Sequence, residues 1–209
     1  MPPTDDRGVT PAAAFIAYCA LARVIDAIKV GDWLLHERSM SLAELRDLAL
    51  AQQWRAGADE AIWLLEHLDG RSRSLPESEV RAMLVFAGLP APEVNVNLAV
   101  GPGLVVQGDL LYRALRLLVE YEGAHHQEDR DQYAIDIDRY ADVRRAGLEY
   151  VQVTREKARI PKRAVEEIHD RMVELGYDGP APEFGDRWRS LFGSVAAAVG
   201  PRHTRIRAS

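Results

Sequence analysis

Three carboxylates fall within an apolar stretch, Leu104 to His126, at positions where a half-buried sheet would carry aliphatic side chains. The alternation of apolar residues and the β-branched content predict two strands joined by a short polar turn. Taking Arg113 to Arg116 as the turn places Asp109 opposite Glu120. Glu122 follows two residues later on the same face, because strand side chains alternate with a period of two. The pattern therefore predicts that three carboxylates converge on one sheet face.

Three like charges on one face repel one another, so something must offset the repulsion. A divalent cation, shared protons or neighbouring arginines would do so. Carboxylate oxygens suit Mg²⁺, Mn²⁺ or Ca²⁺, and an acid-lined site that positions Mg²⁺ commonly handles phosphates. The alternative is that the register differs and that the acids extend into water at the end of a strand.

The composition is ordinary for a soluble globular protein, and 209 residues provide for one sizeable core or for one domain with a helical appendage. Cys19 is the single cysteine and lies in an apolar helical pattern, so no disulfide framework or cysteine zinc site is expected. No apolar run has the length of a membrane span, and the first residues, MPPTDDRG, lack the order of a secretory signal. These features predict a cytoplasmic protein without a membrane partner.

The net charge of -6 is unevenly distributed along the chain. Acids outnumber bases from Asp109 to Asp138, and the balance reverses from Arg139 to Arg163. An acidic centre beside a basic flank suits a metal-dependent enzyme that acts on a polyanion such as DNA. The alternative is a solvated helix face followed by an ordinary basic loop.

The pattern of the first 70 residues predicts a helical region, and no motif within it indicates a catalytic or binding site. The apolar run from Ala12 to Leu35 predicts one long helix or two abutting ones, interrupted at Gly31. Further helices are expected from Ser41 and from Ala58. The punctuation from Gly70 to Pro76 predicts the boundary of this region. Its helices are a candidate surface for a protein partner.

Residues 71–176 predict an α/β (α+β) domain with a mixed sheet flanked by helices. The expected order is a helix from Pro76 to Ala87, three strands, a helix from about Tyr133 to Ala146, a strand from Glu149 to Thr154, and a last helix from Pro161 to Leu175. Residues 177–209 are expected to form a C-terminal extension that is disordered in part.

A set of these residues resembles the PD-(D/E)xK nuclease superfamily, in particular its branch related to the very-short-patch-repair DNA endonucleases. The resemblance covers about residues 72 to 157 and rests on Glu77-x-Glu79-x-Arg81, a strand with Asp109, Glu120-Tyr121-Glu122-Gly123-x-x-His126, Asp136-x-x-Arg139, and Gly147 before the last strand. It implies a restriction-endonuclease-like αβββαβ core. Proteins of this branch often follow helical regions resembling type IV abortive-infection antitoxins.

The resemblance implies a metal-dependent endonuclease that hydrolyses phosphodiester bonds in DNA. Asp109 and Glu120 would hold Mg²⁺ or Mn²⁺, and Glu122 would complete the site. The superfamily commonly has lysine at this third position, whose positive charge Glu122 cannot supply. A carboxylate there would serve as a third ligand or accept a proton from the attacking water, whose pKa the metal lowers.

The substitution of glutamate for lysine at position 122 also keeps a second interpretation open. It is a catalytically weak or inactive nuclease-derived protein that binds DNA or regulates a toxin-antitoxin or phage-defence system. A third interpretation is a structural interaction domain with a scattered acidic surface. The sequence does not decide between these three.

Further site residues follow from the resemblance. His126 matches a histidine of the branch and would shuttle protons, although an ordinary loop residue is the alternative. Glu77 resembles an acid that reaches the metal from a helix, whereas Glu79 is assigned to stabilising the helix through its dipole. The predicted catalytic residues are therefore Asp109, Glu120, Glu122, His126 and Glu77. The residues predicted to contact nucleic-acid phosphates are Arg139, Arg155, Lys157 and Arg159.

Overall fold

The computed structural model describes residues 3–5, 8–101, 104–122 and 143–200. The chain forms two compact units. One contains the residues up to Gly70 together with those from Arg189 onward, and the other runs from Arg71 to Trp188. Helices dominate the first unit and a four-stranded mixed sheet with flanking helices forms the second, which confirms the predicted fold class.

The first unit begins with a short antiparallel pair, β1 (Thr4–Asp5) and β2 (Gly8–Val9). Four helices follow: α1 (Pro11–Cys19), α2 (Val24–His36), α3 (Leu42–Ala51) and α4 (Ala58–Leu64). Thr10 and Ser41 cap α1 and α3, since each hydroxyl accepts a hydrogen bond from a backbone N–H of the first helical turn. Cys19 is fully buried in α1, and burial raises the pKa of its thiol.

The predicted interruption at Gly31 is wrong. The helix is interrupted between Cys19 and Val24, and Gly31 lies inside α2. A Cβ atom at Gly31 would lie 2.8 Å from the ring of Phe15 and 2.6 Å from a methyl group of Leu68. Glycine is therefore present because the neighbouring side chains approach the helix backbone closely, and not because the helix ends there.

The end of the described chain belongs to the first unit. Two short helices lie in this region, α8 (Asp186–Leu191), which begins in the second unit and ends in the first, and α9 (Val195–Val199) in the first; α5 to α7 are defined below. The backbone N–H of Val195 donates to the carbonyl of Ala22 at 3.0 Å, and that of Val24 donates to Gly193 at 2.9 Å. Part of the segment expected as a C-terminal extension thus pairs with the loop between α1 and α2. Residues 201–209 lie outside the described residues.

The second unit is organised around one sheet with the strand order β3-β4-β5-β6. Its elements are α5 (Leu75–Phe86), β3 (Glu93–Gly101), β4 (Leu104–Tyr112), β5 (Leu117–Glu122), β6 (Glu149–Thr154), α6 (Arg155–Ala158) and α7 (Pro161–Glu174). The first three strands are antiparallel neighbours and β5 pairs with β6 in parallel. A parallel pair needs a crossover connection. Only its last part is described, where residues 143–145 are helical.

The hairpin that joins β4 and β5 has the predicted register. Leu110 pairs with Val119 and Tyr112 with Leu117, around a turn that ends at Arg116 in a left-handed conformation (φ 52°). The Arg116 guanidinium donates to the carbonyl of Gly147 at 2.7 Å and also to that of Ala146. These bonds tie the turn to the segment just before β6 and help to align the parallel pair.

The hairpin of β3 and β4 bends at Asn95 and Asp109. The paired residues on either side are Val94 with Leu110 and Val96 with Gly108, and between them Asn95 has a positive φ of 49°. Beyond the bend, a Cβ atom at Gly108 would collide with a methyl group of Leu118 on β5. Val106, Leu118 and Val143 form one buried cluster. The part of the β3–β4 hairpin beyond this bend therefore packs over the face of β5 that carries Leu118.

Substitution of Gly108 by alanine is expected to destabilise the second unit by about 2 kcal/mol, because Leu118 is 1% exposed and has no room to move away from an added methyl group. Chemical denaturation measures the change in the free energy of unfolding. Gly185→Ala is the matched control, since a Cβ atom there meets nothing within 4 Å. Equal stability of the two variants would contradict the close packing of the hairpin on β5.

Candidate functional site

Asp109 and Glu120 stand on neighbouring strands of the sheet. The observed register, extended by one residue beyond Leu110 and Val119, sets Asp109 opposite Glu120. Glu120 is 5% exposed and lies on β5, a central strand, where it pairs with Gln152 of β6. A carboxylate is rarely buried in a sheet without a specific reason, because desolvating its charge costs free energy. This pair is therefore the centre of the candidate site.

Asp109 bridges the point where β4 and β5 separate. Continuing the register would pair Tyr121 with Gly108, but the Tyr121 N–H donates to Oδ2 of Asp109 at 3.0 Å. The side chain of Asp109 thus replaces a backbone partner of β5. This bond fixes the orientation of the carboxylate, which has a second oxygen and about four acceptor positions in all.

Glu122 ends β5, where it pairs with Thr154 and is half-buried. It follows Glu120 by two residues in one strand, so the two side chains leave β5 on the same side. Within the described ranges, however, no three histidine, cysteine, aspartate or glutamate side chains are grouped closely enough to hold a metal ion. The described part of the site therefore centres on Asp109 and Glu120, with Glu122 at its margin.

Glu77 joins the start of α5 to the bend in β3. Its Oε2 accepts hydrogen bonds from the Arg73 N–H at 2.9 Å and from the Asn95 side-chain amide at 2.8 Å. The same amide donates to the carbonyl of Arg71 at 2.8 Å. Asn95 stands across from Asp109 in the register of β3 and β4. The Glu77 carboxylate thus supports the bend at Asn95, whose register position lies opposite Asp109.

Asn95 is a residue that the sequence analysis missed. The signal was present, because asparagine is depleted in strands and is among the few side chains that tolerate a positive φ. An asparagine in an otherwise alternating strand therefore indicates a local distortion. Its bonds to Glu77 and Arg71 depend on tertiary structure and leave no mark in the local pattern.

A pocket of about 230 Å³ lies where α5 begins and β5 ends. Its lining residues are Pro76, Glu79, Tyr121, Arg155, Ala158 and Arg159. The structure thus places Glu79, and not Glu77, in this pocket. Arg155 and Arg159 are exposed and lie one turn apart at α6. Two guanidinium groups beside a concave surface make an anion-binding arrangement.

Lys157 contacts a different part of the unit. Its Nζ donates to the carbonyl of Gln152 at 3.2 Å and forms an ion pair with Glu167 of α7. The residues predicted to contact phosphates are therefore divided, with Arg155 and Arg159 together and Lys157 apart. The remaining predicted site residues, Arg139 and His126, lie outside the described residues.

Comparisons with known proteins leave the family open. Two uncharacterized proteins from strains of Mycobacterium tuberculosis are each 28% identical to this chain over 127 residues. The match covers 61% of this chain and 47% of each relative, so the chain spans about half the length of the curated relatives it matches. No family model matches the chain. No solved structure matches it.

Among the described helices, none has the length and apolar character needed to cross a bilayer.

Proposed function

We propose that this protein is a metal-dependent endonuclease that hydrolyses phosphodiester bonds in DNA through Asp109 and Glu120. The observation that carries the proposal is the burial of Glu120 on a central strand, opposite Asp109 in the register of the hairpin. Buried carboxylates at such a place are typical of functional sites. The order of helix, three antiparallel strands and a parallel fourth strand supports the same proposal, because the sequence resemblance implies this order.

The donor atoms present fit Mg²⁺ or Mn²⁺. These ions prefer oxygen ligands, and Mg²⁺ is commonly held by one or two carboxylates together with water and substrate phosphates. A pair formed by Asp109 and Glu120 meets this requirement without a third protein ligand. The bond from the Tyr121 N–H holds the Asp109 carboxylate in place.

The carboxylates have two kinds of role in this proposal. A divalent cation would supply charge stabilisation for the phosphate and lower the pKa of water. Asp109 and Glu120 would hold the cation, with Asp109 oriented by the Tyr121 N–H. Glu122 is half-buried at the end of β5, so its carboxylate can accept a proton from the attacking water and release it to solvent. His126 is proposed as an additional proton shuttle.

A second candidate function is DNA binding or regulation without turnover, in a toxin-antitoxin or phage-defence system. Two observations favour it. Position 122 carries glutamate in place of the expected lysine. The carboxylates of Asp109 and Glu77 also both accept hydrogen bonds from backbone N–H groups, as structural side chains do. In this case the helical first unit would provide the surface for a protein partner.

Incubation of purified protein with supercoiled plasmid separates the two candidates. An endonuclease produces nicked or linear DNA with Mg²⁺ or Mn²⁺, and EDTA abolishes the reaction. A regulatory protein retards the same plasmid in an electrophoretic shift assay and leaves it intact with either metal. If the protein neither binds nor cleaves the plasmid, both candidates are refuted.

A further inference from the structure

We propose that Arg155 and Arg159 together bind one phosphodiester group in the pocket beside Tyr121, and that Lys157 takes no part in this contact. This phosphodiester is a different one from the phosphodiester that is cleaved. This inference rests on the proposed action on DNA and specifies which cations hold its backbone.

The two arginines are arranged to act on one ligand. They are four residues apart, and the Arg159 N–H donates to the Arg155 carbonyl at 3.3 Å, so both side chains leave α6 on the same side. Both line the pocket and both are exposed. Among the described residues neither guanidinium forms a hydrogen bond or an ion pair. Arginine presents a planar set of donors that matches two phosphate oxygens at once.

The charge of the pocket suits a monoanion. Two guanidinium groups and the carboxylate of Glu79 leave one net positive charge among its lining residues. A phosphodiester carries one negative charge, whereas a terminal phosphate carries nearly two near neutral pH. Hydrogen bonds from its own backbone N–H and from the Thr154 hydroxyl lower the pKa of the neighbouring Glu156 carboxyl, and the charges of Arg159 and Arg155 lower it further. This nearby anion further disfavours a doubly charged ligand.

The start of α5 contributes little to this pocket as a donor. Pro76 has no N–H, and the Glu77 N–H already donates to the Ser74 hydroxyl at 3.3 Å. The pocket must therefore bind an anion through side chains. Anion binding in this pocket therefore depends on the two arginine side chains, whereas many helix ends bind phosphate through backbone N–H groups.

Tyr121 lies between the pocket and the acid pair. Its backbone N–H donates to Asp109, and its side chain lines the pocket. Because side chains alternate along β5, the Tyr121 ring and the Glu120 carboxylate leave the strand on opposite sides. A phosphate in the pocket is thus close to the end of β5 but is not the one at the carboxylates. It contributes to binding and positioning, and not to bond cleavage.

Lys157 is the natural comparison, because it has a similar charge in the same short helix. Its ion pair with Glu167 and its bond to the Gln152 carbonyl direct it towards α7. Neutralising Lys157 removes the same formal charge from the protein. Any difference between this variant and the arginine variants therefore reports position and not net charge.

The test is the salt dependence of binding to a DNA duplex, measured by fluorescence anisotropy in Ca²⁺ for wild type, Arg155→Gln, Arg159→Gln, the double variant and Lys157→Gln. Each neutralised phosphate contact contributes about 0.9 to the slope of log K against log salt concentration. We expect the double variant to lose about 0.9, because the two arginines share one phosphate. Each single variant should bind more weakly but keep most of the slope, because the remaining arginine still neutralises that phosphate. Lys157→Gln should keep the wild-type slope. A double variant with the wild-type slope, or one that loses about 1.8, would overturn the assignment of one shared phosphate.

The outcomes separate this inference from the proposed function. DNA binding with the expected slopes but without cleavage in Mg²⁺ would retain the pocket and refute the endonuclease. Cleavage with unchanged slopes would refute only the pocket. A wild-type protein that does not bind DNA would refute both. The paired variant Arg155→Lys with Arg159→Lys keeps the charges, so it should keep the slope while binding DNA more weakly, and thermal melts check that every variant is folded.

Discussion

Replacement of Glu120 by glutamine is expected to lower the rate of Mg²⁺-dependent plasmid cleavage by about 10³-fold or more. The variant keeps the size of the buried side chain but removes the charge that would hold the cation. Losing about 4 kcal/mol of transition-state stabilisation corresponds to a factor of about 10³ in rate, which is the order that a metal ion supplies. Single-turnover cleavage at saturating protein measures the effect without a contribution from weaker binding.

Asp109→Asn is the companion variant for this experiment. An asparagine carbonyl can still accept the hydrogen bond from the Tyr121 N–H, so the bridge between β4 and β5 is retained while the charge is lost. Glu93→Gln is the matched control, because this carboxylate lies on β3 of the same sheet but forms an exposed ion pair with Arg113. Cleavage by Glu120→Gln at the rate of Glu93→Gln would refute the assignment of the acid pair.

The sequence predicted the parts of the second unit that depend on local pattern. The alternation in β4 and β5 and the polar turn at Arg113 to Arg116 determine the register of the hairpin, because a shift by one residue would exchange its two faces. The strand from Glu149 to Thr154 also has the predicted bounds. These features require no knowledge of distant contacts.

Other features depend on which residues approach from elsewhere in the chain. Gly31 resembles a helix breaker in isolation, but the close approach of Phe15 explains it inside α2. The bend at Asn95 is supported by Glu77, which is 18 residues away in the sequence. The separation of Lys157 from Arg155 depends on how α6 sits against α7. None of these contacts has a local sequence signal strong enough to predict it.

Addition of Mg²⁺ is expected to stabilise the wild-type protein and to leave Glu120→Gln unaffected. Asp109 and Glu120 face each other on adjacent strands, so their negative charges repel when no cation lies between them. A ligand that binds only the folded state adds about 2.7 kcal/mol of stability when its free concentration is 100 times its dissociation constant. For the second unit this corresponds to a rise in Tm of about 10 °C. Differential scanning calorimetry in EDTA and in Mg²⁺ measures the shift.

In the metal-free protein, the same repulsion predicts that the Asp109→Asn variant is more stable than wild type, the opposite of the order expected with Mg²⁺. In EDTA, Asp109→Asn should be more stable than wild type, because it removes one of the two facing charges and keeps the bond to Tyr121. In Mg²⁺ the order should reverse, because the variant has lost a ligand of the cation. Glu93→Gln should show the full wild-type increment with Mg²⁺, since its carboxylate pairs with Arg113 and lies outside the acid pair. A wild-type protein that is equally stable in EDTA and in Mg²⁺ would mean that the two carboxylates are stabilised by the protein itself, and the metal would then have no place in the site.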